Sequence, residues 1–227
     1  MKESPPSSRP RGPKSQRMEP GQLLDAAQKV FARDGLSGAT LRAIAREAGC
    51  DPALIYYHFE NKEAIFAALI ERMLPVIRKG IQAIAHAKGE RHAALQIWDV
   101  LEVYRAHLTH DAGFRSMIRG QIVLGAEGIR DQLTQHIRPL FMEVVEVIQQ
   151  GIRCGEIRSD IHPLICVFFL VRMQLEILDL IPAMSQRIIG QPAEIALPLV
   201  QRQWFEVFWR GIARHPEQPI PFPSEHP

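Results

Sequence analysis

The sequence predicts an all-α chain, with an N-terminal three-helix domain of helix-turn-helix type followed by a larger C-terminal helical domain. Three observations carry this reading. Apolar residues recur at helical spacing in successive segments. Helix caps and stops, namely Gly35, Thr40, Gly49, Asp51 and Asn61, crowd into residues 19–62. The segment TLRAIAREAGCDPALIYYHFENK, Thr40 to Lys62, spells two short helices around a tight turn and then supplies aromatic and cationic groups suited to a phosphate backbone.

Leu23, Leu24, Ala27, Val30 and Phe31 share one face and predict a first helix from Glu19 to Asp34, stopped by Gly35. Thr40 caps a second helix whose Leu41, Ile44, Ala45 and Ala48 form its inner stripe, and Gly49 ends it. Asp51 caps a third, and Pro52 fits its first turn, where the missing amide hydrogen costs nothing. Ile55 and Phe59 then point to one side. Asn61 caps a fourth helix from Lys62 through Ile65, Leu69, Leu74 and Ile77, weakening between Gly80 and Ala87.

Downstream, Arg91 to Leu108 reads as a mostly buried helix, residues 113–124 as another, and Ile129 to Ile152 as a longer one that Pro139 kinks or effectively starts. Gly151, Gly155 and Ser159 to Pro163 mark the next turn. The run LICVFFLVRMQLEILDLI, Leu164 to Ile181, is interrupted by Arg172, Glu176 and Asp179 and is expected to be buried in protein rather than in a bilayer. Pro182 to Pro192 is expected to connect it to a last helix containing Leu199, Trp204, Phe205, Phe208 and Trp209. Paired across a twofold axis, two such apolar helices per subunit make a four-helix interface. A Pro-rich tail follows Arg214.

With 227 residues, 46% apolar and 23% charged, the chain has material for a substantial core and is too apolar to be disordered. No apolar run reaches the roughly 20 residues of a membrane span, and the N-terminus lacks the apolar core of a secretory signal, so a cytoplasmic location without membrane partners is expected. Cys50, Cys154 and Cys166 share no CxxC spacing and read as ordinary core thiols. His107 and His110 lack a further ligand pattern, so no metal is expected. A net charge of +2 says little by itself. Residues 1–17, however, carry Lys2, Arg9, Arg11, Lys14 and Arg17 against Glu3, a local net of +4 in a Pro- and Ser-rich setting. Such an arm lies along phosphates or in a minor groove, or is simply a solubilising leader.

The small residues fit a helix-turn-helix. Ala45 permits close crossing by the next helix, while Gly49 turns the chain without a β-carbon clash. With Ile55 anchoring the third helix, Pro52, Ala53 and Leu54 face bases in a major groove, through thymine methyl contact and shape rather than bidentate bonding. Arg42 is the candidate for guanine, against the alternative of a solvated surface group. Thr40, Tyr57, His58 and Lys62 suit phosphates. Tyr56 is placed with the base-facing set, although one tyrosine of the pair can instead plug the core and His58 can serve only in capping and packing.

The stretch LLDAAQKVFARDGLSGATLRAIAREAGCDPALIYYHFENKEAIF, Leu23 to Phe66, resembles the N-terminal domain of the TetR family of transcriptional regulators. The resemblance implies a three-helix DNA-binding domain joined by a fourth helix to a helical ligand-binding and dimerisation domain. It also implies a homodimer, in most members a repressor, that leaves a palindromic operator when a small-molecule effector changes the spacing of its two heads. Arg42 then matches a base-reading position, Pro52 to Leu54 the exposed start of the recognition helix, and Tyr57, His58 and Lys62 backbone-facing positions. Cys50 stands where valine is usual and keeps the packing role, whereas Pro52 stands where a polar residue is more frequent and bears on the DNA contacts.

The family likeness also implies an effector cavity behind the fourth helix. Candidates for its wall are Trp98, Tyr104, Phe114, Met117, Phe141, Phe168 and Met173, with Gln121, Arg172 and Glu176 supplying polar selection for a hydrophobic or aromatic effector. Arg119, Phe169 and Gln174 belong to the same pool, and Arg172 and Glu176 alternatively form only a helix salt bridge. Phe169, Leu175, Trp204 and Phe208 are the candidates for the dimer interface. Expected boundaries are a basic arm at 1–18, the DNA-binding head at 19–62, the effector and dimerisation domain at 63–214 and the tail at 215–227. Two other readings stand beside this one: a helical enzyme acting on a small molecule, and a structural DNA-binding protein without an effector. The chain holds no metal-ligand cluster, GxGxxG, Walker loop or GxSxG, so no catalytic residue or cofactor is assigned.

Overall fold

The computed structural model describes residues 19–87, 91–109, 113–116, 118 and 127–222, with the backbone alone for 127–130, 132 and 133. Each short helix of the head begins where its sequence supplies an acceptor. Helix α1 (Pro20–Gly38) opens on a capping box between Glu19 and Gln22 and is broken at Gly35, whose φ of 68° only glycine adopts without strain. Helix α2 (Leu41–Ala48) starts at Thr40, whose hydroxyl accepts from the Ala43 amide at 3.1 Å, and stops at Gly49 in the left-handed region at φ 67°. Helix α3 (Pro52–His58) is capped by the Asp51 carboxylate on the Ala53 amide at 2.8 Å. Asn61 does the same for α4 (Lys62–Ala85) through the Ala64 amide, also at 2.8 Å.

Among the described residues of the larger domain, α4 is followed by α5 (Ala93–Leu108), α6 (Glu127–Arg153), α7 (Pro163–Ile188) and α8 (Ala193–Ile212). Helical backbone also occurs at 113–116. The fold is all-α, with a helix-turn-helix region in α1–α3 and a larger helical domain from α4 to α8. A single apolar cluster runs from Leu23 to Ala213, with Phe31 and Phe66 at the head, Phe114 in the middle and Phe205 on the inner face of α8. Helix α4 belongs to both halves. Its Arg72 holds α1 through Asp25 at 2.7 Å and Gln28 at 2.9 Å, while Gln82 donates to Glu143 of α6, again at 2.7 Å.

The expected connection from Pro182 to Pro192 is shorter than the sequence implied, because α7 continues through Pro182 to Ile188. Proline has no amide hydrogen, so the carbonyl four residues earlier, on Leu178, loses its helical donor. Arg115 restores it, since its Nη2 donates to the Leu178 oxygen at 3.4 Å. The tail also finds a place. Residues 157 and 213 form an antiparallel bridge, and Phe222 meets Trp98 with ring centroids 5.3 Å apart, under the Arg202 guanidinium at 4.7 Å. Trp98, Phe205 and Phe222 thereby form an aromatic clasp joining α5, α8 and the tail. The basic arm at 1–18 lies outside the described residues.

Candidate nucleic-acid interface

The turn between α2 and α3 decides which side chains leave the protein. Ile44 and Ala45 of α2 and Ile55 of α3 are buried in the core of the head, so rotation of α3 about its axis is fixed by Ile55. On that anchored helix Pro52 and Ala53 are exposed, Leu54 half-buried, and Tyr56 and Tyr57 stand 59% and 82% in solvent. Two tyrosines so exposed are costly apolar surface for a solitary domain and are well placed to meet a partner. His58 is half-buried with its ring 5.0 Å from that of Tyr57 in an edge-on arrangement. Arg42 is exposed in the first turn of α2. Thr40 is exposed beside it and spends its hydroxyl oxygen on the Ala43 amide.

Lys62 has work of its own. Its ammonium donates to the Ser37 oxygen at 3.0 Å and the Ala39 oxygen at 3.3 Å, tying the start of α4 to the last turn of α1 and to the residue just after it. The cation therefore sits at the seam between α1 and α4, half-buried, and contributes positive potential as well as geometry. The structure thus brings Arg42, Pro52, Ala53, Tyr56 and Tyr57 to the surface of one small unit. That seam was not legible from residue type, because a lysine bonded to two backbone carbonyls looks in sequence like any other lysine.

Behind the head, Leu74 and Ile77 of α4 close one side of an inner cavity of about 60 Å3. Tyr104 and Leu108 of α5, Phe114, Arg115 and Ile118, Ile137, Leu140 and Phe141 of α6, and Val171 and Leu175 of α7 complete it. Of the expected wall residues Tyr104, Phe114 and Phe141 are there. Trp98 belongs instead to the tail clasp, and Arg172 and Glu176 pair at 2.9 Å along the α7 surface. Phe168 and Met173 are exposed, and Met117, Gln121 and Arg119 lie outside the described residues, as does His110.

Leu175 is buried in the cavity wall, whereas Phe169, Trp204 and Phe208 share an outer groove with Met173 and Val207. The two faces of α7 explain the split, since residues 171, 175 and 178 turn inward while 165, 169 and 173 turn outward.

The cavity's one guanidinium is already engaged. Arg115, 4% exposed, donates from Nε to Asp179 at 2.6 Å and from Nη1 to the carbonyl oxygens of Leu108 and Thr109, the last at 3.0 Å. It caps α5 and mends the α7 ladder at the same time. Sequence reading missed it because nothing in its neighbours marks it as internal. Tyr104 is different: its hydroxyl is buried without a hydrogen-bond partner, and burial raises its pKa well above that of a solvated phenol. Burial likewise raises the Cys50 and Cys166 thiols, while Cys154 is exposed. Among the described residues, no group of three or more His, Cys, Asp or Glu is arranged to hold a metal, and no helix is long and apolar enough to cross a membrane.

A capped helix pair presenting an exposed α3, mounted on a larger helical body, is the build of a helix-turn-helix DNA-binding regulator. Residues 23–69 match the family described as bacterial regulatory proteins, tetR family, so the head is that of a TetR-family helix-turn-helix regulator. The HTH-type transcriptional regulator UidR of Escherichia coli is 28% identical over 147 residues, which cover 62% of this chain and 68% of UidR. Among solved structures, the transcriptional regulator FadR from Bacillus subtilis in complex with stearoyl-CoA superposes with a TM-score of 0.69 at 20% identity, covering 86% of this chain and all of that one. The ketosteroid transcriptional regulator KstR2 of Mycobacterium tuberculosis gives 0.66, also at 20% identity, over 87% of this chain and 96% of the other. At that identity the two structures speak for the fold alone.

Proposed function

We propose that the protein is a ligand-responsive homodimeric repressor, bound to a palindromic operator through α3 of each subunit and released when an apolar small molecule enters the cavity behind α4. The observation that carries this reading is the continuity of α4, which begins at the Lys62 seam of the head and lines the cavity with Leu74 and Ile77 three turns later. A cavity of about 60 Å3 is smaller than the roughly 150 Å3 space that admits benzene in an engineered protein core, so an effector has to part the walls. Parting them displaces α4, and the Arg72 bonds to α1 pass the displacement to the head as a rigid body.

In this reading Arg42 meets a base, Pro52, Ala53, Leu54 and Tyr56 read methyl groups and groove shape, and Thr40, Tyr57, His58 and Lys62 face phosphates. Thr40 still has its own hydroxyl hydrogen to donate, since the bond to Ala43 uses only an oxygen lone pair. The groove of Phe169, Trp204 and Phe208 joins two subunits, and the working units are an arm at 1–18, a head at 19–62, a body at 63–214 and a tail at 215–227. The stearoyl-CoA of the FadR structure and the ketosteroid in the name of KstR2 support an apolar effector class. The site of action is the cytoplasm.

The test is footprinting on genomic fragments, followed by titration of the protected complex with fractionated cell extract. Protection of a short inverted repeat that one fraction abolishes is the expected result. Uniform protection of random DNA, or a monomer that retains no duplex, defeats the proposal.

A further inference from the structure

We propose that the effector is an uncharged apolar molecule carrying a hydroxyl or carbonyl oxygen, and that Tyr104 is the residue that selects it. This rests on the reading of the inner cavity as the effector site. The described wall is hydrocarbon apart from Tyr104 and Arg115. Arg115 is committed to Asp179 and to the carbonyl oxygens of Leu108, Thr109 and Leu178, so its charge is balanced and its donors hold the fold together. A carboxylate entering this cavity would shed its water without meeting a free cation on the described wall, and a buried unpaired charge is strongly disfavoured.

The Tyr104 hydroxyl is the opposite case: Tyr104 lines the cavity and is 4% exposed, and its hydroxyl is buried with no hydrogen-bond partner among the described residues, so that an occupant parting the walls reaches a donor not already spent. Buried polar groups are satisfied in nearly all folded proteins, so a group left over beside a cavity marks what the occupant supplies. A ligand oxygen can accept from the Tyr104 hydroxyl, and the rest of the ligand then lies against leucine, isoleucine and phenylalanine.

Toluene, phenol and benzoate share a ring and differ in the group that would meet Tyr104. Their binding to the full chain is measured by ligand-observed NMR for the wild type, Tyr104→Phe and Val171→Phe, with a thermal melt confirming that each variant is folded; Ile77→Phe replaces Val171→Phe should the latter not fold. Phenol is expected to bind about tenfold more tightly than toluene, the gain from one hydrogen bond to a buried group, and benzoate not at all. Tyr104→Phe should leave toluene unchanged and erase the advantage of phenol. Val171→Phe, which fills the cavity from α7, should abolish both.

Tightest binding by benzoate, or a phenol preference that survives Tyr104→Phe, overturns the role of Tyr104 even where Val171→Phe blocks binding and the cavity stands as the site. Phenol binding that Val171→Phe leaves intact removes the cavity itself, and the absence of binding by all three compounds overturns the proposal as well.

Discussion

Single residues in this protein divide between those that hold the head together and those that its surface offers to the proposed DNA partner. Gly49 holds, and alanine there at φ 67° is expected to cost about 1–2 kcal/mol, read as a lower melting temperature with DNA affinity falling only in parallel. In the proposed complex Arg42 and Tyr57 meet DNA in different ways. Arg42→Ala should change discrimination at one or two base pairs by roughly 1–3 kcal/mol, whereas Tyr57→Phe should weaken every duplex alike; competition among variant operators at fixed salt checks the contrast. Tyr104 leaves a signature in alkali. Its folded pKa is raised by burial, so the proton favours the folded state; that stability is present below about pH 10 and is lost as the pH climbs past the phenol's unfolded value. Alkaline melts of the wild type should therefore fall more steeply than those of Tyr104→Phe.

Elements show where sequence reading succeeds and where it stops. Thr40, Asp51 and Asn61 announce three helix starts because capping is a local bargain between one side chain and an amide two or three residues on. The path of α7 through Pro182 was not legible, because the donor that rescues Leu178 comes from Arg115, which is 63 residues away. Arg115→Met should accordingly cost about 3–5 kcal/mol in a denaturant titration, since it strips a partner from Asp179 and donors from three carbonyls at once. The candidate site divides similarly. The exposed face of α3 follows from helical spacing around Ile55, whereas the engagement of Lys62 with Ser37 and Ala39 and the inward turn of Leu175 follow from packing between elements.

For the whole molecule, the outer groove and the inner cavity lie on opposite faces of α7, so the subunit pairing and effector binding proposed above share one rod. Phe169→Glu is expected to yield a monomer in sedimentation and to weaken operator binding by about a hundredfold or more, because the second head no longer binds intramolecularly. The tail tests separately. Removing residues after Arg214 takes Phe222 from the clasp with Trp98 and Phe205, and should lower stability by about 1–2 kcal/mol, less than for a fully buried phenylalanine because Phe222 is only half-buried.

What the chain determines alone is the all-α class, the caps and stops of the head, and the anchored helix with its outward tyrosines, since each depends on residues within a few positions of one another. Tertiary structure decided the rest: which face of α7 lines the cavity, where Arg115 spends its charge, how Lys62 fastens the head and where Phe222 docks. Those choices bring together groups tens of residues apart, and only the packed helices set the distances over which hydrogen bonds and desolvation act.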